Sequence, residues 1–176
     1  GALAVEVAVV ISNRATAPAL ARADEAGVPT RCLLARDYAD RAAHHAAIGD
    51  ALDGAGAEVV VTAGFNRILD AGVIRRFRDR IINLHPPLLP AFAGTLHAQA
   101  EALAHGVKLT GCTVHLVDEA VDAGPIIAQA AVPVLDDDDE ASLGARILAE
   151  EHRLLPAVLG RFAEGRVRRE GRRVLI

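Results

Sequence analysis

The sequence contains no methionine and no tryptophan, and only 3% of its residues are aromatic. Because 52% of residues are nonetheless apolar, the core must be Ala, Val, Leu and Ile, which suits a sheet covered by helices. No apolar run is long enough to span a bilayer and no signal peptide is visible, so the expectation is no membrane partner and a cytoplasmic protein. A basic excess is missing too. The net charge is −4, whereas nucleic-acid binding would need a basic stripe, so no nucleic acid is expected. Basic residues do crowd the end, in GRVRREGRR (165–173), which reads as a solvated terminal hairpin. Cys32 and Cys112 each sit in a strand-like apolar run and read as buried free thiols in a reducing compartment. No His or Cys spacing matches a zinc site, so no metal is expected. A dinucleotide fingerprint and a G-x-S-x-G elbow are absent as well. The chain opens at Gly1 without a Met, so its natural start is expected to lie upstream.

What is present is an alternation. At 176 residues the simplest organisation is one domain, 1–176. VEVAVVIS (5–12), TRCLLA (30–35), AEVVVTA (57–63) and RIINL (80–84) read as buried strands, short and nearly continuous in apolar residues. CTVHLVD (112–118) and IIAQAAVPV (126–134) read as two more, close enough to form an antiparallel pair. Helical patterns lie between them. The first has Thr16 placed as its cap, Pro18 in its first turn and Gly27 past its end. The last runs over about 140–164, after four aspartates (136–139) that suit a helix N-terminus. This alternation predicts an α/β fold, an open, mostly parallel twisted sheet with helices on both faces. In such sheets ligands sit beyond the carboxyl ends of the strands.

Two polar residues interrupt the pattern at such an end. In RIINLHPPLLPAF (80–92) a strand finishes on Asn83 and His85, which a strand's two-residue period points to one side. Both can donate hydrogen bonds, which would suit an oxyanion site. Prolines 86, 87 and 90 stiffen the exit. The alternative is that Asn83 caps a turn and His85 merely closes the strand. Asp122, in VDEAVDAGPII (117–127), is an ordinary turn residue unless it meets His85. If it does, the carboxylate orients the imidazole and favours its charged form. Among the other histidines, His115 lies in a strand and reads as a satisfied core residue.

In combination these segments are more specific. AGFNRIL (63–69), INLHPPLLPAFAG (82–94), GCTVHLVDEAVDAGPIIAQ (111–129) and ILAEEHRLLP (147–156) resemble, in order, the phosphoribosylglycinamide formyltransferases, whose formyltransferase fold has a Rossmann-like N-terminal half. The resemblance implies transfer of the formyl group of 10-formyltetrahydrofolate, as cosubstrate, to the amine of glycinamide ribonucleotide in de novo purine synthesis. It implies a catalytic trio of Asn83, His85 and Asp122, with His85 protonated. It further implies a folate site from Arg41, Asn66, Arg67, Ile68, Leu69, Asn83 and the loop Asp118, Glu119, Ala120, Val121 and Asp122. Leu148, Ala149, Glu150 and Glu151 would meet the ribonucleotide, and Leu89–Pro90 would be cis. A homodimer is left open. The family's opening strand and Gly-Ser-Asn phosphate loop have no counterpart before Val7, so an N-terminal βα unit is expected to be missing. The alternatives are a hydrolase like formyltetrahydrofolate deformylase, or a non-catalytic folate-binding remnant. Pro86 directly after His85 argues against the deformylase branch, which resembles this motif but carries a second His there.

Overall fold

The structure is a computed structural model that describes residues 3–65 and 68–176. These cluster into two compact units, one of 6–60 with 69–78, the other of 1–5, 61–68 and 79–176.

In the unit of 6–60 and 69–78, β1 (Val10–Ser12) pairs in parallel with β2 (Thr30–Cys32). The connection between them is α1 (Pro18–Glu25), which packs on both strands. β1 is shorter than the expected 5–12, and Val5 and Val7 are exposed. The N-cap of α1 is Ala17 with no side-chain cap, not Thr16, and Pro18 opens the helix. Proline's fixed φ suffices there, since its missing N–H would have been unpaired anyway. Cys32 is exposed rather than buried, because β2 turns most of its side chains outward. A 3₁₀ turn, Ala35–Asp37, leads to α2 (Arg41–Gly54), and α3 (Ala71–Arg76) packs against α2. The Asp40 carboxylate caps α2 by accepting from the Ala43 amide at 2.8 Å. His44 and His45, each 1% exposed, belong to this core. The ring Nε2 of His44 lies 2.9 Å from the Leu33 carbonyl, and His45 Nδ1 accepts from the Asp70 amide at 2.8 Å. Both are satisfied by backbone groups, which is what buried polar side chains require.

The other unit carries a four-stranded sheet in the order β3-β4-β5-β6. The strands are β3 (Val60–Thr62), whose last two residues belong here, β4 (Ile81–His85), β5 (Leu109–Leu116) and β6 (Ile126–Pro133). β4–β5 and β5–β6 are antiparallel. The expected mostly parallel sheet is met in part: β1–β2 is parallel, whereas this sheet runs antiparallel from β4 to β6. The short, helix-free connection 117–125 accounts for the expected antiparallel β5–β6 pair, since a parallel crossover needs about a dozen residues or more; β4 and β5 pair antiparallel across the longer connection 86–108.

Over this sheet lie α4 (Ala98–Ala104) and α5 (Glu140–Ala163), and α5 packs on both β5 and β6. Leu143 and Ile147 of α5 are buried against Cys112, Ala130 and Val132. A hairpin of β7 (Arg168–Glu170) and β8 (Arg173–Leu175) occupies the basic stretch near the end.

Two of the four aspartates, Asp138 and Asp139, serve the start of α5. Asp139 and Ser142 form a reciprocal capping box, satisfying two orphan amide donors. Asp136 pairs with Lys108 at 2.8 Å. Asp138 accepts from Arg146 and, at 2.7 Å, from the Leu135 amide. Arg146 first, and then that amide, hold the Asp138 carboxyl down at about 2. A carboxyl whose folded value is depressed stabilises the fold above its unfolded value of about 3.9, and that contribution is lost as pH falls toward 2. Urea unfolding at pH 5 and pH 3 should therefore show a smaller loss on acidification for Asp138→Asn than for the unaltered chain.

Candidate active site

Asn83 and His85 share one side of β4, and the register sets Asn83 directly opposite His115 on β5. Directly opposed residues of antiparallel strands have side chains in contact. The Asn83 Nδ2 lies 3.2 Å from His115 Nε2, and its Oδ1 accepts from the Thr62 hydroxyl at 2.8 Å. His115 Nδ1 sits 2.9 Å from the Leu116 carbonyl, which can only accept. Nδ1 therefore carries the proton, Nε2 accepts, and one N–H of the Asn83 amide is fixed toward His115. The second amide N–H of Asn83 remains for a ligand. His115 is thus satisfied, as a core histidine, yet it belongs to the site. Thr62 and His115 escaped the sequence reading because strand register is not written in local pattern. The one available signal was the polar Thr-Val-His alternation inside an apolar strand.

Asp122 meets His85. Its Oδ2 lies 3.3 Å from His85 Nε2, and its Oδ1 is 3.8 Å from His115 Nε2. Asp122 adopts φ 49°, left-handed backbone that a non-glycine residue enters at a cost. The loop is held over β5 by close packing: a Cβ on Gly124 would lie 1.7 Å from the Leu116 carbonyl oxygen. From the opposite side the Gly94 amide donates to Asp122 Oδ2 at 2.9 Å.

The His85–Asp122 contact has ion-pair distance without hydrogen-bond alignment. Among the described residues, the buried His85 Nε2 has no hydrogen-bond partner. Buried polar atoms are rarely left unpaired, so this one is available to a water or a ligand atom. The expected pull of Asp122 toward a charged His85 is present, but it is not the larger effect. Burial pushes the His85 pKa below its ordinary value, outweighing the attraction of Asp122, with His115 also lowering it.

The proline exit is tied down by Thr113, which is fully buried. Its hydroxyl donates to the Pro87 carbonyl at 2.8 Å and accepts from the Leu89 amide at 3.0 Å. Leu89–Pro90 is cis, as the resemblance implied, and Pro86–Pro87 is cis as well. Thr113→Val keeps the shape but strands both backbone groups. We expect a stability loss of about 1–3 kcal/mol for each group left unsatisfied, read as a lower urea midpoint.

Leu84 and Pro86, which flank His85 in the chain, line a cleft of about 370 Å³. This falls within the roughly 300–1,000 Å³ of small-molecule sites. Gln99, Leu148 and Glu151 line it too. Leu148 and Glu151 are three apart on one face of α5, as helical geometry requires. Burial pushes the half-buried Glu151 carboxyl up.

The remaining expected site residues divide. Ala149 and Glu150 do not line the cleft, and Glu150 turns to Arg153 at 2.5 Å. Their neighbours at the other helical phase face the cleft instead. Asp118 accepts from the Ala120 amide at 3.0 Å, shaping the loop in which Glu119 and Val121 are exposed. Ile68 is 53% exposed, whereas the Leu69 side chain is buried. Arg41 is exposed at the start of α2. Asn66 and Arg67 lie outside the described residues. No group of three or more His, Cys, Asp or Glu is placed to hold a metal among the described residues, nor is any helix long and apolar enough to cross a membrane.

A family model described as "Formyl transferase" matches residues 1–159. The chain is 48% identical over 160 residues to phosphoribosylglycinamide formyltransferase of Mycobacterium tuberculosis, covering 88% of this chain and 74% of that protein. It is 45% identical over 160 residues to the trifunctional purine biosynthetic protein adenosine-3 of Drosophila melanogaster, covering 91% of this chain but spanning only 12% of that relative's length. Among solved structures, glycinamide ribonucleotide transformylase 1 of Symbiobacterium toebii superimposes with a TM-score of 0.92 at 51% identity, over 96% of this chain and 79% of the other. The chain belongs to the formyl transferase family and, within it, to the phosphoribosylglycinamide formyltransferases.

Proposed function

We propose that this chain transfers the formyl group of 10-formyltetrahydrofolate to the amine of glycinamide ribonucleotide, with Asn83, His85 and Asp122 as the catalytic residues. The observation that carries the assignment is the unpartnered, buried Nε2 of His85 beside the Asp122 carboxylate. Family membership supports the donor and the acceptor. The family model's run through both units supports treating 1–176 as one formyltransferase domain.

The amine nitrogen attacks the formyl carbon, and the carbonyl becomes a tetrahedral oxyanion. The free N–H of Asn83 and the Nε2–H of His85 hydrogen-bond that oxygen, preorganised where charge develops. The Asp122 acceptor beside Nε2 favours the tautomer with the proton there. Asp122 takes the proton released by the amine, directly or through water. A proton then goes to the folate nitrogen as its bond to the formyl carbon breaks and the carbonyl re-forms. One proton has moved from amine to leaving nitrogen, and no covalent enzyme intermediate is needed. A neutral resting His85 fits this scheme, because a charged one would lock Asp122 into an ion pair and remove the base. As the oxyanion forms, its negative charge strengthens the hydrogen bond from the His85 Nε2–H.

The exposed loop 118–122 and Ile68 are proposed to meet the folate, together with Arg41, Leu69, Asn66 and Arg67. Leu148 and Glu151, with their neighbours Ala149 and Glu150, are proposed at the ribonucleotide end. Glu151 in the cleft is suited to accept from ribose hydroxyls. Purified chain should form tetrahydrofolate from 10-formyltetrahydrofolate only when glycinamide ribonucleotide is added, with formylated ribonucleotide as the product. Formate released without the ribonucleotide would identify a hydrolase instead, and folate binding without turnover a non-catalytic remnant.

A further inference from the structure

We propose that the β7–β8 hairpin positions the Asp122 loop, with Arg172 as the positioning residue. The inference rests on the assignment of Asp122 as a catalytic base. Gly171 and Arg172 are the two loop residues of the hairpin, since Glu170 pairs with Arg173. Gly171 supplies the positive φ of 61° that a two-residue turn demands. The turn presents the Arg172 guanidinium to the 117–125 loop, where Nη1 donates to the Ala123 carbonyl at 3.0 Å. Ala123 directly follows Asp122, so this bond holds the Ala123–Gly124 peptide, one residue beyond the left-handed catalytic aspartate.

The hairpin is itself anchored on the strand that carries the other two catalytic residues. Arg169 Nη1 pairs with Asp79 Oδ1 at 2.7 Å, just before β4, and its Nε donates to the Gly171 carbonyl at 2.9 Å. β8 also packs against β6, which the Asp122 loop enters. A continuous set of contacts thus runs from the entry of β4, through Arg169 and the turn, to Ala123. The Asp122 loop is held at two points, by the Gly94 amide on the Asp122 carboxylate and by Arg172 on the carbonyl of the next residue. An aspartate in an uncommon conformation stays there only if its surroundings hold it. A charge-assisted bond to an otherwise exposed loop supplies such a hold.

The test compares Arg172→Ala, Arg172→Lys and Asp122→Asn in the full chain, measuring kcat, both KM values, the pH profile of kcat/KM and the thermal midpoint. For Arg172→Ala we expect kcat to fall about five-fold, the worth of one hydrogen bond, with KM within about two-fold. The acid limb of the pH profile should move, because the distance from Asp122 to His85 is no longer fixed, and Arg172→Lys should restore most of kcat. An unchanged kcat and acid limb for Arg172→Ala, beside an inactive Asp122→Asn, would overturn the positioning role alone. A kcat loss that follows the thermal midpoint and disappears at low temperature would overturn it equally. Full activity of Asp122→Asn would instead overturn the function on which the inference rests.

Discussion

His85→Ala is expected to lower kcat for formyl transfer by about 10²–10³-fold while leaving folate binding intact. That is the usual cost of losing one preorganised oxyanion donor, about 2.7–4 kcal/mol of transition-state stabilisation. The loss should fall on kcat rather than KM, because Nε2 has no ground-state hydrogen-bond partner among the described residues to give up. Folding should survive, since alanine removes a buried atom that nothing else satisfies. The unaltered chain carries a companion signature. Burial lowers the His85 pKa, so the acid limb of kcat/KM should have its midpoint below the ordinary imidazole value of about 6.5. Above that midpoint His85 is neutral and Asp122 is free to act; below it the pair is an ion pair and transfer fails. Steady-state rates against pH, with tryptophan-free folate fluorescence reporting binding, read both effects.

Asp122→Asn is the second large expectation. The amide is isosteric and its oxygen can still accept from Gly94, now made at 2.9 Å, so the loop should keep its shape. What disappears is a group able to take the amine's proton. General-base loss of this kind costs about 10²–10⁴-fold. The variant should also lose the influence of a negative charge 3.3 Å from His85 Nε2. With the attraction gone and desolvation unopposed, the His85 pKa drops further. Chemical-shift titration of the His85 ring should show its midpoint moving down, and a midpoint that stays put would mean that the two groups do not sense each other.

Much of this site was legible before any coordinates. A buried strand ending on Asn83 and His85 ahead of three prolines is locally unusual, and the antiparallel partners 112–118 and 126–134 were readable from their spacing. Asp122, by contrast, is an ordinary turn residue in sequence. Only resemblance to a known family joined it to His85, because the contact depends on the close approach of Gly124 to β5. Thr62 and His115 were not legible as site residues, since cross-strand register decides which side chains meet. The direction of the His85 shift was not legible for a related reason. The carboxylate was visible in the motif, but the burial that outweighs it is a property of the packed site. The antiparallel β4–β5 pairing was not legible, since cross-strand pairing is decided by packing rather than local pattern, and the Thr16 cap missed by one residue, where Pro18 makes a capping side chain dispensable.

The most direct measurement of the central claim is a double-mutant cycle on single-turnover formyl transfer to glycinamide ribonucleotide, comparing His85→Ala, Asp122→Asn and the combined variant. Residues that act as one unit are strongly non-additive, so the combined variant should be within about three-fold of the slower single one. Losses that simply multiply, to about 10⁴-fold or beyond, would mean that His85 and Asp122 act independently and would contradict the account.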